Sequence, residues 1–470
     1  YSQVRCWDTI IYNHLLKKNI IIPPREDHDK DTQYEGAYVK DPQLGLHNWI
    51  VSFDLNSLYP HLIMQYNLSP ETLVGVQPKN MGVENYLNEK FNLQWARDKN
   101  VTVAPNGSMY RRDKQGFLPE LMEKMYGDRV VFKKKTIEAK KEFQKTKDPI
   151  YKNEISRCNN IQMAKKIALN SAYGAIGNQY FRYFDVRIAE AITLGGQLSI
   201  RWVERDVNKF MNKLLNTDNV NYVVASDTDS IYLKLDKLVE KVCKDKSPQQ
   251  ITDFINKAAE DKIQKVIDDS FNNLAKYVNA YQQKMIMKRE AIANKAIWVA
   301  KKRYMMNVFD EEGIRFDIPK LKIMGVEAVK SSTPEVCRGK IKDAIRVIMN
   351  DSEDALIKFV ADFKEVFKTL SPEEVAFPRS CNYIDKYVDP NSIYKKGTPI
   401  HVKGALVYNH HILKNKLQMK YPLIKDGDKI KFLMLKQPNT VRDTVISFAT
   451  RIPYEFDLHK YVDYETQFTK

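Results

Sequence analysis

Two carboxylates lie side by side in a short turn between two apolar segments. Asp227 and Asp229 belong to the tetrapeptide Asp-Thr-Asp-Ser, which separates the apolar runs 222–224 and 231–233. This pattern predicts a β-hairpin that presents both carboxylates at its tip. Carboxylates packed this closely repel each other, and a divalent cation is the usual way to stabilise the pair. An ordinary aspartate-rich turn is the alternative, and the tripeptide alone does not exclude it.

A third carboxylate, Asp54, follows the apolar run 49–53. At the end of a buried strand it leaves the backbone amides of Asn56, Ser57 and Leu58 free to bind phosphate oxygens. Together with the hairpin pair, Asp54 could hold two magnesium ions, the arrangement that clamps the attacking and leaving oxygens in phosphoryl transfer. Magnesium is expected because every candidate ligand is a hard oxygen.

Cations that could bind a triphosphate lie in a basic segment that is poor in glycine. Between Pro119 and Asn178 the sequence predicts an antiparallel pair of helices, interrupted at Asp148-Pro149. Residues three or four apart share a helix face, which gives one stripe on each helix. The stripes are Arg129 and Lys133 on the first helix, and Lys166, Asn170 and Tyr173 on the second.

Each residue type in these stripes suits a part of a nucleotide. The fork of Arg129 would bind phosphates, with Lys133 and Lys166 as point charges, and Lys166 could also assist the leaving pyrophosphate. Asn170 could donate hydrogen bonds to the phosphates, and Tyr173 with Gly174 could form a flat surface under a new base pair. A solvated basic face is the simpler alternative for any single lysine.

Three segments, 54–60, 166–174 and 227–230, resemble motifs A, B and C of family B DNA polymerases and occur in the same order. The resemblance implies an α+β, right-hand polymerase fold with an antiparallel palm sheet, helical-hairpin fingers and a mostly helical thumb. The expected domains are a connector at 1–33, palm at 34–116 and 178–324, fingers at 117–177, and a C-terminally incomplete thumb at 325–470. Within the connector, the helical spacing of apolar residues from Trp7 to Leu15 predicts an amphipathic helix that ends at Pro23-Pro24.

The resemblance also implies roles for individual residues. Asp54 and Asp229 would bridge two Mg²⁺ ions, the Leu55 carbonyl would contact the ion on the nucleotide side, and Asp227 would be a weaker ligand. Tyr59 would be the steric gate that excludes a 2′-hydroxyl group.

Further segments resemble the DNA-binding elements of the family. Tyr34 and Gly36 lie in a YxGG-type loop that contacts template, and Lys301-Lys302-Arg303-Tyr304 resembles the KKRY element that grips primer. The resemblance also assigns Glu290 to the palm near the metals, and Lys322 and Lys330 to the segment between palm and thumb. Segments 69–72 and 320–334 are most similar to T-even-type tailed-phage replicative polymerases. The family's usual glycines are replaced by Ala37 after Gly36 and by Ala225-Ser226 before motif C.

The expected function is that of a DNA-directed DNA polymerase that adds dNMPs to a primer 3′-hydroxyl by a two-metal mechanism. Primer-template DNA and dNTPs are the expected partners. A separate exonuclease-bearing chain and a sliding clamp are further candidates, because 1–33 leaves no room for an exonuclease domain. The alternative is a catalytically silent, polymerase-like DNA-binding subunit, which would be expected to lack Asp54 or Asp229. A protein-primed polymerase would carry palm insertions that we do not find, and RNA synthesis would conflict with Tyr59.

The overall composition agrees with a nucleic-acid partner. The chain of 470 residues carries a formal net charge of +16 and has a pI near 9.2, which favours binding to a polyanion. The sequence contains no apolar run of transmembrane length, and its five cysteines have no paired spacing. We therefore expect a soluble protein in a reducing compartment, and the resemblance to phage polymerases implies the cytoplasm of an infected bacterial host.

Overall fold

The computed structural model describes residues 2–26, 33–77 and 81–470. They form two compact units, Tyr1–Lys301 with Met306–Lys320 and Lys302–Met305 with Leu321–Lys470. The connector predicted at 1–33 lies partly outside the described residues, at 1 and 27–32. Among the described residues no helix is both long enough and apolar enough to cross a bilayer.

The first unit mixes helices with strands. Its elements as far as the helical hairpin are α1 (Gln3–Lys17), β1 (Gly45–Leu55), α2 (Leu58–Tyr66), β2 (Leu73–Val76), α3 (Val83–Leu87), α4 (Gln94–Asp98), β3 (Val101–Val103), β4 (Ser108–Arg111), α5 (Phe117–Thr146) and α6 (Ile150–Ile176). The following elements are α7 (Val186–Leu215), β5 (Val223–Asp227), β6 (Ser230–Lys234), α8 (Asp236–Val242), α9 (Pro248–Ala258), a π-helical turn (Ala259–Ile263), α10 (Gln264–Tyr277), β7 (Met287–Ala300), β8 (Arg303–Glu311) and β9 (Ile314–Met324). Strand β8 begins, and strand β9 ends, in the second unit.

A six-stranded sheet with the order β5-β6-β1-β7-β8-β9 is the centre of the first unit. Strand β1 pairs antiparallel with β6 on one side and with β7 on the other. Its residues from Ile50 to Phe53 are buried, as the apolar run 49–53 predicts for a central strand. Buried side chains of β1, α7 and α10 belong to one apolar core. The sheet therefore holds β1 and the β5–β6 hairpin side by side.

The predicted pair of basic helices is confirmed as α5 and α6. The break falls at Lys147-Asp148-Pro149, because Lys147 adopts a left-handed conformation with φ 58°. The Asp148 carboxylate then accepts a hydrogen bond from the Ile150 amide at 2.9 Å, which starts α6. The sequence signal at Asp148-Pro149 thus marks the turn of the hairpin.

The predicted N-terminal helix is also confirmed, and Trp7, Ile11 and Leu15 form its buried face. The prediction that it ends at Pro23-Pro24 is wrong, since the helix ends at Lys17. The amide of Lys18 bonds back to the Leu15 carbonyl, and the next residue turns left-handed with φ 53°. This local cap ends the helix before the prolines are reached.

The second unit has its own apolar core. Its elements are α11 (Glu335–Asn350), α12 (Glu353–Phe367), α13 (Pro372–Val375), β10 (Phe377–Cys381), α14 (Ile400–Lys414), β11 (Asp428–Met434), β12 (Val445–Phe448) and α15 (Tyr464–Thr469). Strands β10, β11 and β12 form an antiparallel sheet. A Cβ on Gly404 of α14 would lie 2.5 Å from the Ser447 hydroxyl, so helix and sheet approach closely where only glycine fits.

Candidate active site

Strand pairing brings the predicted carboxylates together. Asp54 lies opposite Ser230 of β6 and Lys288 of β7, so it sits in the middle of the sheet. The Leu55 amide donates a hydrogen bond to the Asp229 carbonyl at 2.7 Å. This bond ties the end of β1 directly to the tip of the β5–β6 hairpin.

The hairpin tip is the tight turn that the sequence predicts, with Thr228 and Asp229 between the two strands. Thr228 adopts φ 59°, and its amide donates to the Tyr38 carbonyl at 3.0 Å, which fixes the turn against the preceding chain. Thr228 and Asp229 line a cleft at this edge of the sheet, whereas Asp227 is absent from its lining. The carboxylate of Asp227 instead accepts a hydrogen bond from the Thr228 hydroxyl at 3.1 Å.

Glu290 of β7 adds a third acidic side chain to this cleft. The Ser52 hydroxyl of β1 donates to its Oε2 at 3.1 Å, so a buried residue of the neighbouring strand orients it. The sequence resemblance places Glu290 near the proposed metals, and the structure places it beside Asp54 and Asp229 in the wall of the cleft.

The acidic groups destabilise one another in the absence of a cation. Burial raises the pKa of Asp54, and the charges of Asp229 and Glu290 raise it further. Burial, followed by the charge of Asp227, also raises the pKa of Asp229. Lys166 opposes both shifts. A bound divalent cation would stabilise the ionised forms, because it would add positive charge next to these carboxylates.

The donor chemistry of the cleft fits Mg²⁺, since Asp54 and Asp229 offer hard carboxylate oxygens. Within residues 2–26, 33–77 and 81–470, no three histidine, cysteine, aspartate or glutamate side chains are grouped closely enough to hold one ion. A magnesium ion bound here would therefore take the rest of its oxygen ligands from backbone, water or substrate phosphates.

Helix α5 contributes two cations to the cleft. Arg129 is 8% exposed, and its Nη1 donates to the hydroxyl of Ser57. Its Nε has no hydrogen-bond partner among the described residues. One turn further along, Lys133 forms an ion pair of 2.7 Å with Glu312. Buried, incompletely bonded guanidinium groups are favourable binding positions for an anion.

The cleft has a volume of about 320 Å³ and gathers most of the residues predicted for metal and nucleotide. Those residues are Asp54, Leu55, Asn56, Ser57, Leu58, Tyr59, Arg129, Lys133, Lys166, Asn170, Asp229 and Glu290. Carboxylates and cations thus share one small cleft, as phosphoryl transfer requires.

Tyr59 lines the cleft and is the first of three tyrosines that contact one another in turn. The rings of Tyr59 and Tyr173 are 4.7 Å apart between centroids, and the hydroxyl of Tyr173 lies 3.4 Å from that of Tyr34. The nearby carbonyl of Gly36 accepts a hydrogen bond from the Gln197 side chain at 2.7 Å. A Cβ on Gly174 would lie 3.3 Å from the side chain of Gln3. The loop at 34–36 therefore lies against α6 and α7.

The remaining residues predicted to bind DNA are distributed over both units. Lys301 belongs to the first unit and forms an ion pair of 3.0 Å with Asp41. The second unit contains Lys302, Tyr304, Lys322 and Lys330. Tyr304 is buried, and Lys330 pairs with Glu327 at 3.0 Å.

Sequence reasoning missed four residues that line the cleft, namely Thr228, Lys288, Arg289 and Glu312. Thr228 and the Lys288-Arg289 pair directly adjoin predicted residues, so their positions follow once the strands are paired. Glu312 is different, because it lies on the two-residue turn between β8 and β9. The dipeptide Glu312-Gly313 is a turn signal, but nothing local indicates which part of the molecule the turn faces.

Comparison with known proteins agrees with this geometry. A model of DNA polymerase family B matches residues 1–465. The chain is 33% identical to the DNA-directed DNA polymerase of Escherichia phage RB69, over 96% of this chain and 54% of that protein. It is 32% identical to the DNA-directed DNA polymerase of Enterobacteria phage T4, over 100% of this chain and 57% of that protein. A DNA polymerase of Thermococcus gorgonarius is 26% identical over 95% and 48%.

The chain spans about half the length of the curated relatives that it matches. The match to the family extends over nearly all of this chain, including both compact units. The residues of the cleft and this coverage lead to the same conclusion: the chain belongs to DNA polymerase family B.

Proposed function

We propose that this chain carries the polymerising centre of a DNA-directed DNA polymerase of the tailed-phage replicative type. The reaction would be attack of a primer 3′-hydroxyl on the α-phosphorus of a template-paired dNTP, with release of pyrophosphate. The observation that carries the proposal is a single cleft in which Asp54 and Asp229 lie with Arg129, Lys133 and Lys166.

Asp54, Asp229 and the Leu55 carbonyl are the groups that would hold two Mg²⁺ ions, with Asp227 as an outer or weaker ligand. When bound, such ions stabilise the attacking and leaving oxygens and neutralise phosphate charge. The hydrogen bond from the Leu55 amide to the Asp229 carbonyl supports these assignments, because it keeps the two strand ends in register.

The helical hairpin would bind the triphosphate. Arg129 offers a planar fork with an unbonded Nε, and Lys133 and Lys166 add point charges. Asn170 would donate to a phosphate, and Lys166 would stabilise the leaving pyrophosphate. The amides after Asp54 would complete the phosphate-binding wall.

The tyrosines would discriminate between substrates. We assign Tyr59 as the steric gate under the sugar, because its ring lies in the cleft and packs against Tyr173. A 2′-hydroxyl would meet this ring, so ribonucleotides would bind less well. Tyr173 and Gly174 would form the surface under the nascent base pair.

DNA would be bound by residues outside the cleft. Template would contact the loop of Tyr34 and Gly36, and primer would contact Lys301, Lys302 and Tyr304, with Lys322 and Lys330 further along. In this assignment the sheet is the palm, α5 and α6 are the fingers, and the second unit is most of the thumb. The net charge of +16 supports a polyanionic partner.

Other partners and the location follow from the phage resemblance. An exonuclease on a separate chain and a sliding clamp are candidate partners, and the cytoplasm of an infected bacterium is the proposed site of action. A catalytically silent DNA-binding subunit is less favoured, because both Asp54 and Asp229 are present and line one cleft.

The test is primer extension on a primed DNA template with Mg²⁺ and four dNTPs. Asp229→Asn should abolish extension, whereas Asp218→Asn, at an exposed position outside the cleft, should extend like the unmodified chain. Ribonucleotides should fail as substrates and should gain activity in Tyr59→Ala, with Tyr59→Phe as the control that keeps the ring. Extension that survives in Asp229→Asn would overturn the assignment, and tight DNA binding without extension would favour the silent subunit.

A further inference from the structure

Glu312 is an acidic residue in a cleft where a triphosphate would bind. It lies in the turn between β8 and β9 and lines the same cleft as Asp54 and Arg129. Its carboxylate forms an ion pair of 2.7 Å with Lys133 of α5. A negative charge opposite a phosphate-binding lysine requires an explanation, because it weakens the attraction for an anionic substrate.

The backbone of this turn is fixed in an unusual conformation. Glu312 and Gly313 both adopt positive φ values, 51° and 81°, as a two-residue type I′ hairpin turn requires. Glycine accepts this conformation easily, whereas glutamate does so at a steric disadvantage. The Glu312 amide donates to the Glu290 carbonyl at 2.7 Å, which ties the turn to β7. The backbone from which the Glu312 side chain extends is therefore fixed.

A buried carboxylate stabilises the turn through a hydrogen bond. Asp310 is 1% exposed and accepts a hydrogen bond from the Gly313 amide at 3.0 Å. It also forms ion pairs with Arg289 and, at 3.0 Å, with Arg315. Since Arg289 lines the cleft, this network links the turn to the wall of the site. The interactions of Asp310 therefore fix the turn on which Glu312 lies.

The ion pair with Lys133 contributes little to stability. The two side chains are 34% and 37% exposed, and half-exposed pairs of this kind are weakly stabilising. A weak pair can readily exchange one partner for another. Glu312 also affects Arg129. Burial lowers the pKa of Arg129, and the negative charge of Glu312 raises it, which favours the charged guanidinium. Two of the cations that would bind phosphate are thus influenced by one carboxylate.

We propose that Glu312 is a positioning residue that holds Lys133 before a nucleotide binds and is then displaced by the triphosphate. The ligand class is a magnesium-bound polyphosphate, and the inference rests on the proposed function of the cleft. The ion pair keeps the Lys133 side chain in the wall of the cleft, and a ligand must out-compete the carboxylate for it. Glu312 thereby raises the concentration of triphosphate needed and disfavours ligands with less charge, such as diphosphates.

The experiment compares Glu312→Gln with the unmodified chain by isothermal titration with magnesium dATP, magnesium dADP and inorganic tripolyphosphate. Glu312→Gln should bind both triphosphates about two- to fivefold more tightly, as expected for the loss of a half-exposed ionic competitor. Its preference for dATP over dADP should fall. The KM for dNTPs in primer extension should decrease by a similar factor.

Two further variants isolate the ion pair. Glu311→Gln removes the neighbouring charge at the end of β8, and because Glu311 pairs with Lys320 outside the cleft, triphosphate affinity should not change. In a Lys133→Met background, Glu312→Gln should lose most of its effect, because only the influence of Glu312 on Arg129 would remain. Unchanged or weaker triphosphate binding in Glu312→Gln, or an equal gain in the Lys133→Met background, would overturn the proposal.

The outcomes also separate this proposal from the proposed function. If the unmodified chain does not extend primers but Glu312→Gln still tightens tripolyphosphate binding through Lys133, the exchange stands without the polymerase activity. If primers are extended and Glu312→Gln leaves triphosphate affinity unchanged, the activity stands and the exchange is refuted.

Discussion

At the scale of single residues, Arg129 is a buried cation whose hydrogen-bonding capacity is only partly used among the described residues. Its guanidinium is buried, donates to the Ser57 hydroxyl, and leaves Nε unbonded among the described residues. A buried donor without a partner is destabilising, and a phosphate oxygen would remove that penalty. We therefore propose that Arg129 binds a substrate phosphate in the reaction.

Arg129→Lys should raise the KM for dNTPs by about tenfold, or about 1.4 kcal/mol, because the charge is kept while the two-pronged contact is lost. Steady-state primer extension measures this change. Arg157→Lys is the matched control, since Arg157 is exposed on α6 and pairs only with Glu154 of its own helix among the described residues. Equal effects of the two substitutions would show that Arg129 is not a phosphate ligand.

The buried His61 makes the stability of the fold depend on pH. It is buried on α2, its Nδ1 lies 2.9 Å from the Ser57 carbonyl, and its ring packs edge-on against Tyr126 at 4.3 Å. Burial lowers the pKa of His61 to about 4, with Lys284 and Arg129 contributing in the same direction. The folded protein therefore prefers the neutral imidazole, and this stabilisation is complete above pH 6.5 and is lost as the pH falls toward 4.

We expect the His61 contribution to unfolding free energy to fall by about 2 kcal/mol between pH 7 and pH 5. His61→Asn should lose this part of the pH dependence while keeping a donor near the Ser57 carbonyl. Urea denaturation at both pH values measures the difference, with His459→Asn as an exposed control. A variant with the same pH dependence as the unmodified chain would contradict the buried, neutral state.

At the scale of elements, local signals predicted more than long-range ones. The carboxylate hairpin and the break between α5 and α6 follow from short patterns of turn residues, so both were predictable. The proximity of Glu312 to Lys133 depends on the order in which β7, β8 and β9 are placed in the sheet. That order is a tertiary property, and no local pattern around Glu312 encodes it. The predicted end of α1 was wrong, because the left-handed residue Asn19 ends the helix before Pro23-Pro24 is reached.

Helix α1 supports the helix that carries Lys166 and Asn170. The indole Nε1 of Trp7 donates to the Ser171 hydroxyl at 2.9 Å and lies 3.2 Å from the Ala168 carbonyl, both on α6. Trp7→Phe should destabilise the chain by about 1–3 kcal/mol, because these bonds and part of the buried ring are lost. Amide hydrogen exchange should increase in the C-terminal part of α6 and not in β1. Uniform exchange across both elements would indicate only a global loss of stability.

At the scale of the whole molecule, the excess of positive charge sets the response to salt. A chain with net charge +16 that binds DNA through its phosphates releases counterions, and its affinity falls linearly with salt on logarithmic axes. The slope reports how many phosphates are neutralised, at roughly 0.9 per contact on duplex DNA. Individual lysines can therefore be assigned to the interface without a structure of the complex.

Lys302 is the residue we would test in this way, because the proposed primer contact includes it. It lies in the turn between β7 and β8, with φ 61°. Lys302→Ala should weaken primer-template binding and reduce the salt slope by about one. Fluorescence anisotropy between 50 and 200 mM salt would measure both, with Lys396→Ala, an exposed lysine outside the proposed set, as the control. An unchanged slope would show that Lys302 does not contact a phosphate. Equal losses of affinity in both variants would show that the overall positive charge of the chain, and not a specific contact at Lys302, attracts the DNA.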